Sequence, residues 1–409
     1  MILKKTVTLF IIFTFLLSGC ATHNKTSSMV GPFPSSSYSK DVKKESMVTA
    51  PTLDVIIPVF DPGLSENQSK YDKKDIWPEL RRAEANRFAY KLKGKLEATG
   101  QFGAVRVTPD KTATGDLYIL GRIEESNGEK VVITIEVVDI SGKRWLDEVF
   151  VHEVSGDFYK DQRNKGLDPY DPLFEEVAAK IIDELNDHPL KELEDLSYIA
   201  DLRFGANFSD KAFMQYMETK RGTFFLVSKP SDNDPMLKRV KAIRVRDQLF
   251  IDSLQDNYAS FFEQMDESYL MWQEQSLFET QAEREARRKS IGQAIGGALL
   301  IGLAVLAGVS GSRSDSTGSS AAGAAGAILG GLAGASLLSK SFKTSEEAKI
   351  HRDSLNELGQ SIDIDLSPQV IAFEKKSVEL TGDAKEQFAQ WREFLQKIYS
   401  EEQTPDVQL

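Results

Sequence analysis

The spacing of apolar positions changes character several times along the chain, and each change predicts a different kind of structure. From residue 51 to 190 it reads as strands with two helices. Leu53 to Phe60 is an apolar, β-prone run closed by the turn signal Asp61-Pro62-Gly63. Pro58 cannot donate to a ladder, so it places that run at an edge or a strand end. Glu79 to Ala98 has helical spacing, with Leu80, Phe88, Leu92 and Leu96 near one face and Pro78 suited to the first turn. Phe102 to Val107 is a short strand, followed by strands at Leu117 to Ile123, Val131 to Ile140 and Arg144 to Val154. Turns fall at Asn127-Gly128, expected as type I′, and at Ser141-Gly142. Imperfect alternation in Val131 to Val137 predicts a strand buried on both faces. A helix over Asp171 to Asp187 completes a β-α-β-β-β-α order.

Residues 191 to 290 are charged and strongly helical. Met236, Val240, Ile243, Val245, Phe250, Ile251, Leu254, Tyr258, Phe261, Phe262, Met265, Tyr269 and Trp272 recur at helical intervals. They predict a packed helix or helix pair with an aromatic core stripe. Asp232-Asn233-Asp234 lacks the glycine and terminal glutamate of a calcium loop and reads as a turn with a helix cap. Residues 343 to 409 open on the capping box Thr344-Ser345-Glu346-Glu347. They continue to a helix over Asp383 to Ser400 with Phe388, Trp391, Phe394, Leu395 and Ile398 on one face. Both helices are expected to pack on the 191–290 region. The fold class is therefore α+β: an N-terminal α/β domain, then a mostly helical region interrupted by a glycine-rich helical hairpin.

That hairpin occupies 291–342. Ile291 to Val309 and Ala321 to Leu338 carry no charge, and the polar loop Ser310 to Gly318 separates them. Each run is close to the ~20 residues a helix needs to cross hydrocarbon. Gly326, Gly330 and Gly334 recur every fourth residue; Gly292, Gly296, Ala304 and Gly308 follow the same row, broken at Leu300. Positions four apart share a face, so each helix would present a groove where another backbone approaches closely. The pattern resembles the glycine-zipper hairpins of bacterial envelope proteins. It predicts two membrane helices that self-associate, with Arg284, Arg287, Arg288 and Lys289 before them and Lys340 and Lys343 after them reaching lipid headgroups. A soluble hairpin packed on the α/β domain, or a Gly/Ala linker, is the alternative.

The N-terminus adds chemistry. Lys4 and Lys5 precede the apolar block Val7 to Leu17, which is too short to span a bilayer but has the length of an export signal. It ends in Leu16-Leu17-Ser18-Gly19-Cys20, and Cys20 is the only cysteine of 409 residues. The run resembles the lipobox of bacterial lipoproteins. That resemblance implies a signal peptide at 1–19, cleavage before Cys20 and acyl chains such as palmitate on it. Ala21, where aspartate would retain such proteins at the inner membrane, implies the outer membrane. Residues 20–50 are rich in Ser, Thr, Lys, Gly and Pro, without a hydrophobic period, and read as a lipidated disordered tether.

Composition narrows the function. The chain carries 62 acidic and 50 basic residues, a net charge of −12, so it repels phosphate backbones and nucleic acid is not expected as a partner. Four scattered histidines give no zinc-ligand spacing, and no GxSxG, HExxH or Walker motif appears. No metal, cofactor or small-molecule substrate is expected beyond the covalent lipid.

The 51–190 region bears a further resemblance. Gly100, Phe102, Val105 and Val107, then Asp116, Leu117, Tyr118, Ile119, Gly121 and Ile123, match core positions of one periplasmic α/β fold. The curli-secretion lipoprotein CsgG, the penicillin-binding-protein activator LpoB and the N-terminal domain of TolB share that fold. The similarity covers roughly a quarter of the chain and implies fold more than function. Together these features imply a non-enzymatic outer-membrane lipoprotein, facing mainly the periplasm: an oligomerising envelope scaffold, assembly factor or secretion accessory. Its partners would be outer-membrane lipid and copies of itself or other envelope proteins. A tethered regulator of a cell-wall synthase is the second reading, and an enzyme the third.

Overall fold

The computed structural model describes residues 52–67, 71, 76–307, 346–373 and 376–402. Strand β1 (Val55–Pro58) leads into helix α1 (Pro78–Thr99), and strands β2 (Val105–Thr108), β3 (Leu117–Ser126), β4 (Lys130–Asp139) and β5 (Arg144–Glu153) follow. They form one mixed sheet in the order β2-β1-β3-β4-β5. β1 pairs in parallel with β2 and β3, and β3-β4-β5 is an antiparallel meander. With helix α2 (Asp171–Asp187) the order is β-α-β-β-β-β-α: all five runs read as strands form strands, one more than the order β-α-β-β-β-α allows. β2, expected over Phe102 to Val107, returns beside β1 on the far side from β3.

Pro58 ends β1 rather than interrupting it, so the sheet loses no interior hydrogen bond. β1 is buried at every position because β2 and β3 flank it. β4, expected to be buried on both faces, alternates strictly: Val131, Ile133, Ile135 and Val137 are buried and the positions between them half-buried. α1 lies on the buried face through Leu80, Phe88, Leu92 and Leu96. It ends at Gly100, whose φ of 64° is the left-handed geometry that closes a helix. α2 packs beside it, with Phe174 edge-on to Phe88 at 5.2 Å.

The hairpin at Asn127-Gly128 is not the expected type I′ turn, because only Gly128 has positive φ. Asn127 instead uses its side chain, Oδ1 accepting from the N–H groups of Glu129 and Lys130. Paired positive φ angles occur at Arg221-Gly222, in a hairpin the sequence reading missed, between β6 (Met217–Lys220) and β7 (Thr223–Leu226). That hairpin follows helix α3 (Leu190–Ala206) and the short helix α4 (Asp210–Phe213).

The long apolar series resolves as one helix, α5 (Pro235–Ala307), of 73 residues, or about 110 Å of rise. Asp234 caps it, accepting from the N–H groups of Met236 and Leu237. Val240, Ile251, Leu254, Met265, Tyr269 and Trp272 are buried as the spacing predicts, whereas Val245 points outward and is 52% exposed. Helix α6 (Glu346–Leu358) returns onto α5, followed by a second unforeseen hairpin, β8 (Gln369–Phe373) and β9 (Lys376–Leu380). Helix α7 (Ala384–Glu402) packs Trp391 on Phe250 of α5 at 5.3 Å. The buried cluster is continuous from Leu53 to Tyr399, so sheet, long helix and C-terminal helices share one core. The fold is α+β. Among the described residues no helix is long and apolar enough to cross a membrane.

Candidate functional site

What distinguishes this core is how many charges fix α5 to it. At the sheet end, Arg106 of β2 donates from Nε to Asp252 at 2.5 Å and from Nη1 to Asp54 at 3.3 Å. Gln248 donates to the same Asp54 carboxylate at 3.0 Å. Arg244 donates to Asp201 of α3 at 2.6 Å and stands 3.7 Å from Asp116. Gln255 places its amide against the free edge of β2: Oε1 accepts from Val107 N–H at 3.0 Å and Nε2 donates to Val107 O at 2.9 Å. A side-chain amide thus stands where a sixth strand would pair.

Further along α5, Arg87 of α1 is fully buried between the rings of Phe262 and Tyr269, 4.4 and 4.5 Å from their centroids. It donates to Asp266 at 2.6 Å and to Asp168 at 3.0 Å. Lys91 and Gln273 also reach Asp168, at 2.5 and 3.1 Å. Burial alone would raise the Asp168 carboxyl, but Lys91 and Arg87 outweigh it and hold it down at about 2. Glu84 accepts from Ser126 at 2.5 Å and Tyr269 at 2.8 Å; its burial outweighs Arg81 and pushes its carboxyl up. Apolar contacts alone would tolerate a helix slipped by one turn. Partners this specific do not, so the polar seam sets the register of α5 against the sheet.

The helix carries that register outward. Gln281 donates to Gly156 O at 3.3 Å, and Arg284 forms an ion pair with Glu129. Arg284, expected at lipid headgroups, thus holds the β3–β4 turn instead. Gly128 in that turn admits the helix: a Cβ there would lie 2.4 Å from Ser276 Cβ. The chain returns where His351 Nδ1 meets Ser268 Oγ at 2.9 Å. Ser268 and Arg284 are about 24 Å apart along one helix. Asn356 accepts from Trp77 at 2.8 Å, and Gly359 O from Arg82 at 2.6 Å. The outgoing and returning arms of the glycine-rich segment therefore stand on the same body.

Of the residues singled out from sequence, Gly292, Gly296 and Ala304 fall on the helical stretch of α5 that ends at Ala307. Cys20, Gly308, Gly326, Gly330 and Gly334 lie outside the described residues, as do the second apolar run, the tether, Lys340 and Lys343. Among the described residues no group of three or more His, Cys, Asp or Glu is placed to hold a metal ion.

One feature had no sequence signal. A cavity of about 750 Å³ lies on the half-exposed face of the sheet, between β3–β4 and the end of α3. Lys111, Tyr118, Arg203 and Arg392 line it from four separate stretches, so no local motif announces it. No family model, no curated protein and no solved structure matches this chain.

Proposed function

We propose that the protein is a non-enzymatic lipoprotein of the outer membrane, built on a CsgG/LpoB-like α/β domain, which acts as an oligomerising envelope scaffold or assembly factor. Cys20 holds the tether at the membrane, and the glycine rows associate with copies of this chain or with a partner helix. The observation that carries the reading is the continuity of α5: the helix locked to the sheet by Arg106, Arg244 and Arg87 is the helix on which Gly292, Gly296 and Ala304 lie. Orientation of the body is thus tied to orientation of the first glycine row. Lipobox, tether and glycine spacing supply the rest of the argument.

The test is assembly size. Gly296→Leu and Gly330→Leu fill the grooves without touching the polar seam. The expected result is loss of the oligomer in chemical cross-linking, with unchanged thermal unfolding of the body. An oligomer of unaltered size in both variants contradicts the reading and favours a tethered regulator acting through its body.

A further inference from the structure

We propose that the first glycine row, on α5, is covered by the second uncharged run of the same chain, residues 321–338, lying antiparallel on it with Leu300 against Gly330. The inference rests on the reading of 291–338 as a pair of helices and names the partner of the first row.

The phase of α5 sets the direction in which that row points. Ser260, Gln264 and Ser268 precede Gly296, Leu300 and Ala304 by 36 residues each, about ten turns of one continuous helix, so both sets lie on the same side of α5. That side is the one α6 occupies. His351 of α6 meets Ser268 at 2.9 Å, and Ser260 and Gln264 wall one side of a hollow whose other side includes Asn356 and Glu357. The seam residues Gln255, Tyr269 and Gln273 stand about 140–180° around the helix from Gln264. The row therefore points away from the sheet and toward the returning arm.

Chain length limits what can lie there. α6 runs back along α5 with His351 level with Ser268, so Glu346 stands about 27 Å short of Ile291 along the axis. The eight steps from Leu338 to Glu346 reach at most about 28 Å. With the two runs side by side, that link has no length left to carry the second run around α5. The run descends on the α6 side, where the first row points.

Side-chain volume then selects a register. Residues 310–320 separate the runs, and antiparallel pairing about the middle of that stretch sets Gly296 opposite Gly334 and Ala304 opposite Gly326. Leu300, which breaks the first row, falls opposite Gly330, and Leu338, which ends the second, falls opposite Gly292. Each bulky member meets a glycine, which lets the two backbones approach closely. A second copy lying parallel would instead set Leu300 against Leu300.

The test exchanges the bulky and the small position in the full-length protein in its own membranes. Gly330→Leu sets leucine against Leu300 and should break assembly, read by chemical cross-linking, and adding Leu300→Gly to the same chain should restore it. A tagged Gly330→Leu chain should stay outside assemblies of co-expressed Leu300→Gly chains. Independently, Ala304→Cys with Gly326→Cys should oxidise to a disulfide within one chain. Its yield should be at least about five-fold that of Ala304→Cys with Gly334→Cys, which lies about 12 Å out of register, and each single substitution serves to exclude bonds to Cys20. Recruitment of the tagged chain, disulfides that join only separate chains, or equal yields from the two pairs would each overturn the proposal. A cross-linked hairpin in a protein that forms no oligomer would uphold it while contradicting the scaffold reading, so the two fail separately.

Discussion

Asp116 and Asp168 are both buried carboxylates held by arginines, yet they titrate in opposite directions. Burial pushes Asp116 up to about 6, and Arg244 at 3.7 Å offsets this only in part. A carboxyl whose folded pKa is raised favours folding below its unfolded pKa and loses that contribution as pH rises through about 6. Asp116→Asn should therefore match or exceed the wild type in thermal stability at pH 7.5. Near pH 4.5 that advantage should shrink by about 2 kcal/mol, because there the wild-type carboxyl is already protonated in the fold. A difference independent of pH between 4 and 8 would assign Asp116 no titration in this range. Asp168 has the reverse sign. Its pKa is lowered to about 2, so its contribution is full above the ordinary carboxylate range and is lost as pH falls toward 2. Asp168→Asn leaves Lys91 and Arg87 short of their counter-charge and should cost about 3 kcal/mol at pH 7, measured by urea unfolding. At pH 2 the two proteins should converge. Neither assignment was legible in the sequence, since 62 acidic residues offer no local sign of which one is buried against which arginine.

The elements were more legible than their partners. α1, α2, α7 and all five strands of the main sheet stand close to where apolar period and turn signals place them, because each packs on the common core. Both small hairpins escaped notice: β6–β7 has a half-buried, irregular pattern, and β8–β9 carries Val370 at 70% exposure. The edge of β2 is another feature no pattern encodes. Gln255 sits about 150 positions away from the strand it completes and resembles any other polar helix residue. Gln255→Ala should leave the Val107 N–H without its partner, cost about 1–2 kcal/mol, and raise hydrogen exchange at Val107 before that of β1. Unchanged exchange there would mean that the edge needs no cover. The return arm has a comparable test. Gly359 passes so close to α1 that a Cβ would lie 1.8 Å from Glu79 O. Gly359→Ala should cost about 1–3 kcal/mol and free α6 from α1, read as faster exchange over Glu346–Leu358 with α2 unaffected.

At the scale of the whole molecule, a single helix runs through regions that the sequence pattern separated. Boundaries drawn at 190 and 290 follow real changes of composition, from alternating strands to charged helix to uncharged glycine rows. The core ignores the first, and α5 runs through the second. Composition changes where the chain's surroundings change, whereas helical hydrogen bonding continues as long as nothing breaks it. No proline stands between Met236 and Ala307 to do so. A body locked in register to such a helix transmits orientation rather than merely proximity, which a flexible junction at residue 290 would not do. Inserting Gly-Gly-Gly after Arg288 should therefore reduce assembly about as strongly as Gly296→Leu while leaving unfolding of the body unchanged, as cross-linking beside a thermal melt would show. Normal assembly with that insertion would contradict the proposed coupling of the body to the glycine rows through α5.

We propose that residues 291–338 are an integral membrane element of a lipid-anchored scaffold. The most direct measurement is carbonate extraction of outer-membrane vesicles containing the Cys20→Ser chain, with and without 291–338. The account predicts that the unlipidated full-length chain stays in the membrane and that the deletion releases it. Release of both forms would contradict the account and make the glycine-rich segment part of a soluble, tethered body.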